Sequence, residues 1–77
     1  MKIKLTTIVD VEDFVQLNTA FLGSVDVKCG SLSFCGEDYI SLLNLGRDNM
    51  LDITAIHEDE FWVHTYYMAL KDRFLHV

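Results

Sequence analysis

Three histidines, two cysteines, an acidic run and one serine are the side chains of this chain whose chemistry might be put to use. His57, His64 and His76 have no paired metal-ligand spacing with Cys29 and Cys35, so a metal centre lacks a ligand set. Two cysteines are too few for a disulfide framework. With Gly30 and Ser31 at a turn centre, Cys29 faces Leu32 and Cys35 faces Asp26. That leaves roughly 10 Å of strand between the sulfurs, and free, reduced thiols are expected. Glu58-Asp59-Glu60 resembles a metal or acid–base cluster in composition, but its place before an apolar-periodic segment assigns it to a helix dipole. Ser41 and the histidines form no recognisable nucleophile–base–orienter grouping, and no glycine-rich phosphate loop occurs. The residues therefore predict no catalytic group, no cofactor and no metal.

The elements that would position these side chains are organised around Lys28–Gly46, KCGSLSFCGEDYISLLNLG. A strand ends at Cys29-Gly30-Ser31, and a second strand follows over Leu32–Cys35, with Leu32 and Phe34 on one face. Asp38 is a good N-cap for a short apolar helix that begins at Tyr39 and stops at Gly46. Before this unit, Lys2–Ile8 alternates as a half-buried strand with Ile3 and Leu5 inward. Asp10 is read as the cap of the next helix, with Asp13 at its third position. Val11, Phe14, Val15, Asn18, Phe21 and Leu22 form the buried stripe of that helix, and Gly23 its C′ residue. Val25, Val27 and Cys29 alternate with Asp26 and Lys28 as the second strand. After a polar turn at Arg47-Asp48-Asn49, Met50–Ile56 is the fourth strand, with Leu51, Ile53 and Ala55 inward. Glu58, Asp59 and Glu60 load the first turn of a closing helix, and Lys71, Arg73 and His76 its end. Val63, Tyr66, Tyr67, Leu70 and Phe74 make its inner stripe, leaving Phe61, Trp62 and Met68 off it.

The order is βαββαβα. Polar residues on one face of every strand predict an α+β, open-faced sandwich: a four-stranded antiparallel sheet, wet on one face, with the helices on the other. Seventy-seven residues make one domain, near the lower end of what folds without staples and burying roughly 60–65% of its unfolded surface. A hydrophobic fraction of 51% is ample for a core, and with no proline the turns rely on Gly, Asn and Asp. The net charge of −6 and pI near 4.7 argue against nucleic acid and against an anionic membrane. The apolar runs are too short to span a bilayer, and the opening Met-Lys-Ile-Lys-Leu-Thr-Thr is no signal peptide, so a cytoplasmic protein is the expectation.

The element order and the segment Val27–Leu45 resemble HPr, the histidine-containing phosphocarrier of the bacterial sugar phosphotransferase system. That family shows a hairpin, a Lys/Ala-Ser-Ile/Leu step and a short helix ending Leu-Gly or Leu-Asp. The resemblance covers the whole chain by element order and its middle quarter by motif. A ferredoxin-like βαββαβ module is the rival arrangement, and the long closing helix counts against it. The resemblance implies an HPr-like fold. It also brings out what is missing, because the family carries its phosphohistidine in a Gly-Leu-His-x-Arg-Pro turn between the first strand and first helix. Here that turn is Thr7-Ile8-Val9-Asp10, without the imidazole nucleophile or the arginine that holds phosphoryl oxygens. His76, at the end of the last helix, is the one histidine that would return to that end of the sheet.

The family's regulatory serine falls on Asp38, which is read either as a helix cap or as a fixed negative charge where relatives acquire a phosphate. Tyr39, Ile40 and Leu43 fall where the family keeps an apolar docking patch. One short helix cannot bury Tyr39, Ile40, Leu42 and Leu43 together, so at least two are expected to be exposed. Asp10, Glu12, Asp13, Glu37 and Asp38, with Arg47 as the only nearby cation, make the matching face acidic where the family's is basic. A protein partner offering a basic or apolar groove is therefore expected, bound at Asp38, Tyr39, Ile40 and Leu43. A metabolite-sensing module and a self-associating building block remain as alternatives.

Overall fold

The computed structural model describes residues 1–46 and 48–74. Along the chain these form β1 (Lys2–Lys4), α1 (Ile8–Ala20), β2 (Ser24–Cys29), β3 (Leu32–Cys35), α2 (Tyr39–Leu45), β4 (Met50–Ile56) and α3 (Glu60–Phe74). The sheet order is β1-β4-β2-β3, and every neighbouring pair is antiparallel. β1 and β2 therefore run the same way with β4 between them, and β3 and β4 the same way with β2 between them. Each such pair is joined by a helix, α1 or α2. This is an α+β open-faced sandwich.

Alternation within the strands decides which face the helices cover. Ile3, Val25, Val27, Leu51, Ile53 and Ala55 are buried, while Lys2, Lys4, Asp26, Lys28, Asp52 and Thr54 are exposed on the other face. The helices close the core with Val11 and Phe14 of α1, Leu42 of α2, and Tyr66, Leu70 and Phe74 of α3. Burying each large side chain of this set contributes about 1.5–3 kcal/mol relative to leaving it in water. Cross-strand pairs on the wet face alternate in charge, Lys2 opposite Asp52 and Asp52 opposite Lys28, which suits a solvated sheet surface. The hairpin register is the expected one, Cys29 opposite Leu32 and Asp26 opposite Cys35, and both cysteines are free.

Several boundaries differ from the sequence reading. β1 stops at Lys4 rather than Ile8, because Thr7 rather than Asp10 is the N-cap of α1. The Asp10 amide donates to Thr7 Oγ1 at 3.1 Å, and the Thr7 amide donates back to Asp10 Oδ2 at 3.3 Å. This reciprocal capping box satisfies two helix-end donors and moves the start of α1 forward. Asp10, not Asp13, is thus the third residue of the helix. The helix ends at Ala20, so Leu22 leaves the buried stripe and is 80% exposed. Gly23 is not a left-handed C′ residue. A Cβ on it would lie 2.0 Å from the Ile56 carbonyl oxygen, so glycine is there to let the chain cross the end of β4. α3 starts at Glu60, and Asp59 precedes it as a cap whose carboxylate accepts the Phe61 amide at 2.9 Å. Arg47 and His76 lie outside the described residues.

One polar bridge runs through the core. Asn18 is fully buried, its Nδ2 donating to the Gly36 carbonyl at 2.7 Å, and its Oδ1 accepts the Tyr66 hydroxyl. It ties α1 at once to α3 and to the turn that launches α2. Burial, and then the neighbouring Tyr67, push the Tyr66 phenol well above the usual tyrosine range. No helix among the described residues is long and apolar enough to cross a membrane.

Candidate docking site on the short helix

The turn after β3 sets the position of α2. Gly36 is packed so closely that a Cβ would lie 2.6 Å from Asn18 Nδ2 and 2.8 Å from Val25 Cγ1. From there Asp38 caps the helix. Its Oδ1 accepts the Ser41 amide at 3.1 Å, and its Oδ2 accepts the Ser41 hydroxyl at 2.7 Å. Those two bonds, the hydroxyl first, hold the Asp38 carboxyl below the usual carboxylate range. At the other end Gly46 adopts φ +80°, which favours glycine, and its amide donates to the Leu43 carbonyl at 3.2 Å. Asn49 Nδ2 closes the Leu45 carbonyl at 2.6 Å.

Helical spacing then sorts the apolar side chains of α2. Leu42 enters the core, and Tyr39 and Leu45 pack half-buried against it. Ile40 is 66% exposed and Leu43 40% exposed. Leu43 does not stand alone. With Leu42, Gly46 and the α1 residues Ile8 and Val11 it lines a notch of about 190 Å³, and Ile8 is half in solvent. A second hollow, of about 310 Å³, lies between Tyr39 and the α1 residues Glu12, Val15 and Gln16. Leu43 and Ile8 thus meet across the two helices, and Ile40 stands exposed one turn before Leu43 on α2.

Strand-like alternation over Lys2–Ile8 hides Ile8 from this surface. The signal that would have found it is the Thr7-x-x-Asp10 spacing before an apolar run, which marks a capping box and puts Ile8 on the first turn. The surrounding charge also differs from the expectation of a single nearby cation at Arg47. Arg73 of α3 reaches Asp13 of α1 and forms an ion pair with it.

A hollow of about 530 Å³ lies where β1 runs into α1, and it is lined by Lys2, Lys4, Thr6, Thr7, Asp10 and Arg73 among others. Among the described residues no histidine lines it. Asp10 Oδ2 there accepts from the Thr6 amide at 3.0 Å and the Thr6 hydroxyl at 2.8 Å, so this carboxylate helps to close the helix end. His57 is engaged elsewhere, accepting the Asp59 amide on Nδ1 at 2.9 Å with its ring against Phe21. Among the described residues no three His, Cys, Asp or Glu side chains come together as a metal site. Neither a family model nor a curated protein sequence matches the chain.

The cap and charge roles of Asp38 separate experimentally. Asp38→Asn keeps an acceptor for the Ser41 amide and removes the charge, whereas Asp38→Ala removes both. A carboxyl held low contributes stability that is present above its unfolded value and lost as pH falls. Denaturant titrations should show Asp38→Ala less stable than the parent at neutral pH and the difference narrowing on acidification. Asp38→Asn should lie between the two. An Asp38→Ala variant as stable as the parent at neutral pH would remove the cap from the account.

Proposed function

We propose that this chain is a divergent HPr-like domain of the cytoplasm that has lost phosphorelay and works, without catalysis, by binding a protein through the α1–α2 surface. The observation that carries the reading is the exposure of Ile40 and Leu43 on a helix otherwise anchored by Leu42, with Leu43 meeting Ile8 of α1 across a notch. Apolar side chains held out of a core by a fixed cap tend to mark contact sites. The element order and the hairpin-to-short-helix stretch support kinship with the phosphocarriers. The sequence Thr7-Ile8-Val9-Asp10 at the start of α1, which has neither histidine nor arginine, supports the loss of phosphate chemistry, since transfer needs an imidazole nucleophile there.

Charge narrows the partner. Asp10, Glu12, Glu37 and Asp38 stand around the two helices, Asp13 being paired with Arg73, and like charges brought face to face cost several kcal/mol. The partner accordingly offers a basic or apolar groove, and the acidic enzymes that bind phosphocarriers are rejected. Ile40→Asp keeps the fold, because the side chain is mostly in solvent, and abolishes recovery of any partner captured by the parent. The parent takes no acid-labile phosphate from phosphoenolpyruvate through the general phosphotransferase enzyme. A folded Ile40→Asp variant that still recovers the partner would remove the surface from consideration, and stoichiometric labelling on His57, His64 or His76 would overturn the loss of phosphorelay.

A further inference from the structure

A second apolar surface lies on the other flank of α1, away from α2. α1 and α3 run antiparallel, as Phe14 meets Phe74 edge-on at 5.9 Å while Asn18 bonds Tyr66. Toward the C-terminal end of α1 the two helices leave an open groove of about 310 Å³, walled by Leu17, Leu22 and Trp62 with Ala20 and Ala69 between them. The small alanines leave room, and Leu22, freed from the helix, projects at the rim.

We propose that this groove receives the apolar face of a basic amphipathic helix from a partner protein. The lining has almost nothing to hydrogen-bond. Thr65 spends its hydroxyl on the Phe61 carbonyl at 2.9 Å, and the Tyr66 hydroxyl is spent on Asn18. A polar metabolite would lose its hydration here without replacement, whereas leucine-like side chains at helical spacing fit a groove between two antiparallel helices. The groove is open to solvent along one side, which suits side chains carried by a polymer.

The sign of the partner follows from the groove's ends. One turn before Leu17 is Asp13 and one turn beyond Ala69 is Arg73, and these two neutralise each other. At the opposite end Glu58, Asp59 and Glu60 are all exposed just before Trp62. Lys71 stands two residues from Ala69 and so falls on the far side of α3. An approaching helix therefore meets three exposed carboxylates at that end, more negative charge than the roughly half positive charge of the α3 N-terminus offsets, and gains from lysine or arginine flanking its apolar face. A second copy of this chain, with net charge −6, brings the wrong sign to that end.

Trp62 is the chain's only tryptophan, so its fluorescence reports on the groove. The probe is an amphipathic leucine–lysine peptide of about five helical turns, compared with a shuffled peptide of identical composition and with a leucine–glutamate analogue. The expected result is a saturable blue shift of Trp62 emission with the amphipathic basic peptide alone. Leu22→Lys, at an exposed position that leaves the circular dichroism unchanged, weakens binding about tenfold or more. Ile40→Lys, on the α2 surface, changes it less than about twofold. No blue shift, equal binding of the shuffled peptide, or insensitivity to Leu22→Lys would overturn the proposal. So would a concentration-dependent dimer, seen by sedimentation, that Leu22→Lys dissolves.

Discussion

Asn18→Ala is expected to lower the unfolding free energy by about 3–5 kcal/mol. The substitution leaves the Tyr66 hydroxyl and the Gly36 carbonyl without the partner each now has in a region closed to water. Orphaning a buried donor or acceptor costs about 1–3 kcal/mol per group, and the cavity left by the amide adds to it. A domain of this length has about 0.05–0.15 kcal/mol of stability per residue, or about 4–12 kcal/mol in all, so the variant is near the limit of folding. Tyr66→Phe orphans Asn18 Oδ1 alone and is expected to cost about 1–3 kcal/mol. In a double-mutant cycle the two changes should be strongly non-additive, because the second removes a group the first has already stranded. The phenol adds an alkaline signature. Its folded value is raised, so its contribution is complete below the unfolded value near 10 and is lost as pH rises beyond that. Urea midpoints should therefore fall more steeply above about pH 10 for the parent than for Tyr66→Phe. Parallel alkaline slopes would contradict the buried, bonded phenol.

Gly23→Ala is expected to be comparably damaging for a different reason. The added methyl group would sit 2.0 Å from the Ile56 carbonyl oxygen and 2.7 Å from Phe21 Cε2, and the first of these is backbone that belongs to a paired strand. Ser24 pairs with Ile56, so relief requires separating the start of β2 from the end of β4. Overpacking of this kind costs about 1–3 kcal/mol and more when backbone must move. Gly30→Ala, at φ +60° with open space around it, meets only the left-handed penalty of about 1–2 kcal/mol. Thermal unfolding should rank parent, Gly30→Ala and Gly23→Ala in falling order. Gly23→Ala melting with or above Gly30→Ala would show that the crossing at the end of β4 is looser than described.

The facing of β2 and β4 was legible because burial on one side enforces a strict period of two. β4 and the β2–β3 register follow directly from Leu51, Ile53 and Ala55 and from the Gly30-Ser31 turn. The start of α1 was not legible from apolar period alone. Ile8 and Val9 extend the β1 pattern by type, and only the Thr7–Asp10 reciprocity turns them into helix. The role of Gly23 was hidden for a related reason: a helix end and a close crossing both select glycine, and only the neighbouring strand decides between them. On α2, counting apolar residues against one buried face showed that some must be exposed. Which ones depends on the Asp38 cap, which turns Leu42 inward and leaves Ile40 and Leu43 outside. The alliance with Ile8, and the Arg73–Asp13 pair on the other flank of α1, are contacts between distant parts of the chain that no local pattern encodes.

Photo-cross-linking in the source cell decides whether the α2 surface docks a protein. A photoreactive side chain at position 40 should yield one discrete protein adduct. The same group at position 54, on the wet face of the sheet, should not yield it, and Leu43→Asp should suppress it. Absence of an adduct at position 40, or the same adduct from position 54, would contradict the account.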